Sequence, residues 1–195
     1  MPLVALSDPI RAIAVSRTSP GYDVVLLAHV LVAVVGLAAL LVAAGSALAL
    51  RSVVLRGAPV PESLTRYYRP GVNWAGRTLF LVPVLGVALL AMSGGRWDLA
   101  DSWVSIGMGG WAVVAVAAEA VLWPDERRLQ EVVAAVASGD RSTGGGRSTG
   151  EAVEERDDRD PDTAAAPGLC LRVGLLGLGL GAVLVAVAVL MVVKP

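Results

Sequence analysis

Four long apolar runs separated by polar stretches dominate this chain: Val24–Leu50, Thr78–Gly95, Ser102–Trp123 and Leu169–Val193. A helix needs about 20 apolar residues to cross the roughly 30 Å hydrocarbon core of a bilayer, and each run is close to that length or longer. Backbone groups cannot stay unpaired in lipid, and the runs lack the period-two alternation of barrel strands. The pattern therefore predicts an all-α protein, a transmembrane four-helix bundle.

The composition agrees with a membrane location. Hydrophobic residues make up 55% of the chain and charged residues 17%, and the mean hydropathy is +0.68. Because a water-soluble domain has about 25% charged residues, an ordinary soluble enzyme is excluded. The net charge of −1 gives no basic field for nucleic acid. Cys170 is the single cysteine, which excludes a disulfide framework and a multi-cysteine metal site.

The basic residues predict the orientation of the spans. Cytoplasmic loops of membrane proteins carry an excess of Lys and Arg, and the second loop has only Arg96. We therefore expect the first and third loops in the cytoplasm and both termini outside, in a bacterial cytoplasmic membrane. The first loop decides this orientation through Arg51, Arg56, Arg66, Arg69 and Arg77.

Composition shifts divide the chain into four parts. Residues 1–21 form an extracytoplasmic tail without a signal-peptide core. Residues 22–138 carry the first three spans and an amphipathic stretch that either extends the third helix into the cytoplasm or lies along the membrane. Residues 139–167, with two RSTG repeats and an acidic tract, predict a disordered cytoplasmic linker. Residues 168–195 carry the fourth span.

His29 is the only histidine, and it lies inside the first predicted span. Its helical face carries small residues such as Gly36, so it is expected to point into the bundle. It either forms a hydrogen bond across helices or serves as a cofactor-binding residue for haem or copper, or as a proton carrier. With no second histidine, two histidines of one subunit cannot ligate a haem. No resident cofactor and no metal-ligand cluster are predicted.

Glu119 is the acid inside the third predicted span, near its inner end. Arg77 and Arg172 begin the second and fourth spans at the same side. We therefore expect Glu119 to pair with Arg77, Arg172 or both, as a structural pair that fixes helix register. His29 lies near the opposite face, on the order of 15 Å away in depth, so these residues cannot form one catalytic dyad.

Glycine and proline positions predict helix packing. Gly177 and Gly181 have the small-xxx-small spacing of close helix contacts, as Gly36 does with its alanine neighbours. Pro83 and Gly86 interrupt the second span, which predicts a kink whose freed backbone groups bond to neighbouring helices.

Arginines and aromatic side chains alternate in Arg66-Tyr-Tyr-Arg-Pro-Gly-Val-Asn-Trp74. Such a segment can stack on nucleic-acid bases or anchor to lipid headgroups. Its place at a membrane edge favours the lipid.

This segment, with Tyr22–His29, Leu81–Gly86 and Ala118–Leu129, resembles a family of uncharacterised bacterial integral membrane proteins. The family is frequent in actinobacteria and is catalogued as a domain of unknown function. The resemblance covers about residues 22–130 and implies a four-helix inner-membrane protein without an assigned activity. His29 also resembles, more distantly, the first-helix histidine of copper-resistance D-type proteins and of the related membrane protoporphyrinogen oxidase, which implies haem or metal handling.

Three functional hypotheses follow. The first is a non-enzymatic, multi-pass membrane protein with a structural, interaction or accessory role, associating with the lipid bilayer and with other copies or other membrane proteins. The second is a haem- or metal-handling protein that uses His29. The third is a small transporter acting as an oligomer. No catalytic set of nucleophile, base and orienting residue is evident, so no catalytic residue is predicted.

Overall fold

A computed structural model describes residues 20–143 and 161–193, and the regular elements in these ranges are all helical. This confirms the all-α prediction. The predicted tail at residues 1–19 and the linker at residues 144–160 lie outside the described residues. The elements are α1 (Pro20–Leu55), α2 (Glu62–Tyr67), α3 (Trp74–Arg77), a 3-10 turn (Thr78–Phe80), α4 (Leu81–Met92), α5 (Ser102–Ala117), a π turn (Ala118–Leu122), α6 (Trp123–Thr143) and α7 (Pro161–Val193).

Four helical stretches among the described residues are long and apolar enough to cross a membrane: Pro20–Leu55, Trp74–Met92, Ser102–Ala137 and Ala165–Val193. They overlap the four apolar runs of the sequence, and the chain is a membrane protein.

The helices are longer than the apolar runs. α1 continues beyond Leu50 to Leu55, and Gly57 follows in the left-handed conformation with a φ of 61°. The amide of Gly57 donates to Val54 O at 3.0 Å and that of Ala58 to Val53 O at 3.2 Å, a pair of bonds typical of a glycine helix terminus. α7 begins at Pro161, since proline suits a first helical turn.

α1 and α7 form the main helix pair of the bundle, and α4 and α5 pack on them. Small side chains form much of the buried face of α1, which allows close approach of the helices. A Cβ atom on Gly177 would lie 2.9 Å from Ala44 Cβ and 3.1 Å from Leu40 O. One on Gly181 would lie 3.2 Å from Leu41 Cδ2. Both glycines therefore face α1 in the same chain.

Gly36 faces the other neighbour of α1. A Cβ atom there would lie 3.2 Å from Leu79 Cδ1, in the 3-10 turn before α4. Gly36, Gly177 and Gly181 thus lie at contacts within the bundle, which leaves none of the three free for contact with a second copy.

The second span is adapted to Pro83. Proline has no amide hydrogen, so the carbonyl of Leu79, four residues earlier, loses its usual helical partner. The indole Nε1 of Trp111 on α5 donates to this oxygen at 2.9 Å. The sequence predicts that a neighbouring helix satisfies the freed backbone group, and Trp111 does so.

The third span passes Pro124 without ending. In the π turn the amide of Trp123 donates to Ala118 O, five residues back. A proline ring in an α-helix would clash with the carbonyl four residues earlier, and the wider turn relieves this crowding. α5 therefore continues into α6. Of the two alternatives open from the sequence, the structure has the extended helix.

Replacing Gly177 with leucine tests the close contact of α1 and α7. The added side chain meets Ala44 and the α1 backbone, and overpacking of this kind costs about 1–3 kcal/mol. Gly179 on the same helix has nothing within 4 Å of an added Cβ, so Gly179→Leu is the matched control. Thermal unfolding in detergent is expected to show a lower midpoint for Gly177→Leu only. Equal midpoints for the two variants would contradict the contact.

Candidate functional site

The buried acidic side chains of the described chain are gathered at one end of the bundle. We call it the arginine-rich end: here α1 ends, α2 and α3 lie, the π turn leads into α6, and α7 begins. Asp125 and Glu126 in the first turn of α6 are 3% and 5% exposed. Carboxylates are rarely buried so completely unless cations or hydrogen-bond donors replace the lost water.

Asp125 joins α6 to α7. Its Oδ2 lies 3.0 Å from Arg172 Nε, in an ion pair whose alignment falls short of a hydrogen bond, and its Oδ1 lies 3.7 Å from Arg128 Nη1. Both arginine side chains are more than half exposed, whereas the Asp125 side chain is 4% exposed. The acid is thus enclosed by protein on one side and capped by two cations on the other.

Glu126 joins α6 to α2 and to the start of α3. The Tyr67 hydroxyl donates to Glu126 Oε1 at 2.8 Å, and the Asn73 side chain hydrogen-bonds to the same carboxylate. Asn73 also caps α3, because its Oδ1 accepts from the Gly76 amide at 3.1 Å. One asparagine therefore begins the second membrane span and contacts the third.

Two tyrosines lie against this carboxylate. The rings of Tyr67 and Tyr68 meet edge to face, with centroids 5.0 Å apart. Burial raises the pKa of Tyr67 above its ordinary value, and the nearby Glu126 charge adds to the increase. Burial likewise raises the pKa of Tyr68, with a smaller effect of Cys170. Both phenols are therefore neutral at physiological pH, and Tyr67 keeps the proton that it donates.

Arg77 and Glu119 form the third link. Arg77 Nη1 lies 3.3 Å from Glu119 Oε2, and the guanidinium carbon lies 4.5 Å from the centroid of the Trp123 ring. The Trp123 ring in turn meets Phe80 edge to face at 5.7 Å. The pair is partly exposed, so its contribution is mainly to fix the register of α3 against the π turn.

Glu119 is expected from the sequence to pair with Arg77, Arg172 or both. In the structure Arg77 lies at Glu119, whereas Arg172 lies at Asp125. The reason is geometric: six residues separate the two acids, so they face different sides of the helix, Glu119 towards α3 and Asp125 towards α7.

His29 lies away from these acids, on α1 against α4. A Cβ atom on Gly86 would lie 3.5 Å from His29 Cε1, so the ring packs on the glycine surface. The imidazole hydrogen-bonds to the backbone of Val82 on α4, whereas its buried Nδ1 atom has no well-aligned hydrogen-bond partner within residues 20–143 and 161–193. In those same ranges no group of three or more His, Cys, Asp or Glu side chains could hold a metal ion.

Sequence reasoning predicted an amphipathic helix after Pro124 but assigned the charged residues near its start to the polar face, so it missed the burial of Asp125 and Glu126 and their partners. The spacing of residues along this helix could have identified Glu126 as buried. Leu122, Glu126, Leu129 and Val133 repeat at the spacing of one helix face, and all four are buried. An acid on the apolar face of an amphipathic helix predicts a buried partner on another element.

Comparison of the chain with known protein families, with curated proteins and with solved structures finds no match.

Arg172→Ala tests the link between α6 and α7. Loss of this cation leaves the buried Asp125 charge poorly compensated, and we expect a loss of about 1–3 kcal/mol in the free energy of unfolding. Arg128→Ala is the matched control, since its longer contact on the surface is worth about 0–1 kcal/mol. Denaturation in detergent measures both. Adding Asp125→Asn to Arg172→Ala should recover part of the loss, and an absence of recovery would contradict the pairing.

Tyr67 and Tyr68 provide a second test, in which one substitution is the control for the other. Tyr67→Phe deprives buried Glu126 of a donor and should destabilise the fold by about 1–3 kcal/mol. The Tyr68 hydroxyl is buried without a hydrogen-bond partner among the described residues, so Tyr68→Phe should be neutral or stabilising. The unfolding midpoints of the two variants test this order, and the reverse order would refute the assigned bond.

Proposed function

We propose that this chain is a non-enzymatic, multi-pass protein of the bacterial cytoplasmic membrane with an interaction or accessory role. Its arginine-rich end faces the cytoplasm, and both termini lie outside. The excess of arginine at this end supports the orientation. Lipid is the first partner, and other membrane proteins or further copies of the chain are the second.

The observation that carries this proposal is the continuous helix from α5 through α6. α6 has 21 residues, a length of about 30 Å at 1.5 Å per residue. Its first turn is bonded to α2 and α7 through Glu126 and Asp125. The bundle therefore holds a helix at a fixed angle at the cytoplasmic surface, which is the geometry of a platform for other proteins.

A groove beside α6 is a second feature that suits the binding of another protein. It lies between α2 and α6 and has a volume of about 470 Å³. Arg66 and Arg69 line it on one side, Val133 and Ala137 on the other. Mixed polar and apolar walls are typical of surfaces that bind proteins transiently.

A haem- or copper-handling role for His29 is the second candidate. The buried Nδ1 without a well-aligned hydrogen-bond partner in the described chain is the observation that favours it. Because the chain has one histidine, any second histidine ligand would come from another subunit. The transporter hypothesis stays a prediction.

Cysteine labelling tests the orientation. In a Cys170→Ala background, we place a single cysteine at Leu99 in the second loop or at Glu62 in the first, both exposed positions. In intact spheroplasts, a membrane-impermeant maleimide should label Leu99→Cys, and it should label Glu62→Cys only after permeabilisation. The opposite pattern would overturn the proposed orientation.

An absorption spectrum with metal analysis of protein purified in mild detergent tests the absence of a cofactor. We expect colourless, metal-free protein, with the same spectrum for His29→Ala. A Soret band or stoichiometric copper that is lost in His29→Ala would establish the second candidate. Gly86→Ala serves as a control, because its Cβ would make an ordinary van der Waals contact with the His29 ring at 3.5 Å and would leave the ring nitrogens in place.

A further inference from the structure

A shallow cleft opens between α3 and α6 at the arginine-rich end. Asn73 and Arg77 line one side, and Trp123, Arg127 and Gln130 line the other. None of the interactions described above accounts for Arg127, so the cleft has donor groups beyond those that stabilise the fold.

The cleft presents cationic donors to its surroundings. Arg127 is exposed, and no carboxylate lies within ion-pair distance of it in the described ranges. Arg77 shares its guanidinium between Glu119 and the Trp123 ring, and a guanidinium has five N–H donors in all. The Glu126 carboxylate at the base is 5% exposed and accepts from Tyr67, so the arginine side chains, rather than this acid, form the exposed surface of the cleft.

Val72 lines the cleft, and Trp74 follows it by two residues along the chain. Trp74 is 75% exposed and Val72 is 49% exposed. Trp74 begins the second membrane-spanning stretch, so both side chains lie at the membrane boundary. Exposed tryptophan at this level is typical of an anchor in the interface between headgroups and acyl chains.

The depth of Arg127 suits a headgroup phosphate. It follows Trp123 by one helical turn, a rise of about 6 Å along the helix axis. Trp123 lies at the inner end of the third apolar run. The guanidinium therefore lies just outside the hydrocarbon, in the layer that contains the lipid phosphates.

We propose that the arginines at the rim of this cleft bind the phosphate headgroup of an anionic phospholipid at the surface, since the cleft itself has a volume of about 20 Å³, enough for about one water. Arg127 and Arg77 donate to the phosphate, while Val72 and Trp74 contact the upper acyl chains. The proposal requires only the membrane location of the chain. It does not depend on the side of the membrane that the arginine-rich end faces, or on α6 binding a protein.

Nanodiscs of phosphatidylcholine with increasing phosphatidylglycerol test the proposal on the full-length chain. Native mass spectrometry of the released protein measures retained lipid and gives an apparent affinity. Arg127→Gln should weaken the affinity for phosphatidylglycerol about fivefold, the factor expected for one basic contact at a membrane surface. Arg56→Gln removes a charge at the same end but outside the cleft, and it should leave the affinity unchanged.

Two outcomes would overturn the proposal. One is an equal loss for Arg127→Gln and Arg56→Gln, which would show only a diffuse surface charge. The other is displacement of the lipid by millimolar inorganic phosphate or glycerol 3-phosphate, which would indicate a soluble phosphate ligand. Failure of either kind leaves the maleimide labelling pattern unaffected, so it is distinguishable from failure of the proposed function.

Discussion

A buried carboxylate persists only where cations or hydrogen-bond donors replace the water that it loses. Asp125 and Glu126 impose this requirement at the point where the third span leaves the bundle. Arg172 on α7 and Tyr67 on α2 meet it, and each partner fixes the position of its own element. The arrangement of the arginine-rich end follows from these two acids, because removing either partner leaves a charge in a protein interior.

Proline positions account for the paths of the second and third spans. Each proline removes one backbone donor, and in a bilayer no water can compensate. At Pro83 the freed carbonyl accepts from the Trp111 indole, which also joins α4 to α5. At Pro124 the preceding π turn shifts the hydrogen-bond register, and the helix continues. Both adaptations direct side chains towards neighbouring helices.

The sequence predicted the four spans because the length of each apolar run shows directly whether a helix could cross a bilayer. The sequence also predicted that Arg77 and Glu119 lie at the same depth in the membrane. Each residue of a helical span adds a fixed rise, so a position along the span gives its depth. The sequence did not predict the partner of Arg172, because Asp125 was assigned to the polar face of the amphipathic helix after Pro124, whereas packing against α7 buries this acid. A π turn depends on packing with other helices, so local sequence does not specify it.

Amide hydrogen exchange along residues 102–137, in the protein reconstituted in nanodiscs, tests most directly whether the third span and α6 form one helix fixed by its buried acids. The account predicts protection that continues from α5 through the π turn to Val133, and a selective loss of protection beyond Trp123 when Asp125 and Glu126 are both replaced by alanine. Exchange beyond Pro124 at the rate of an unstructured peptide in the unsubstituted protein would contradict it.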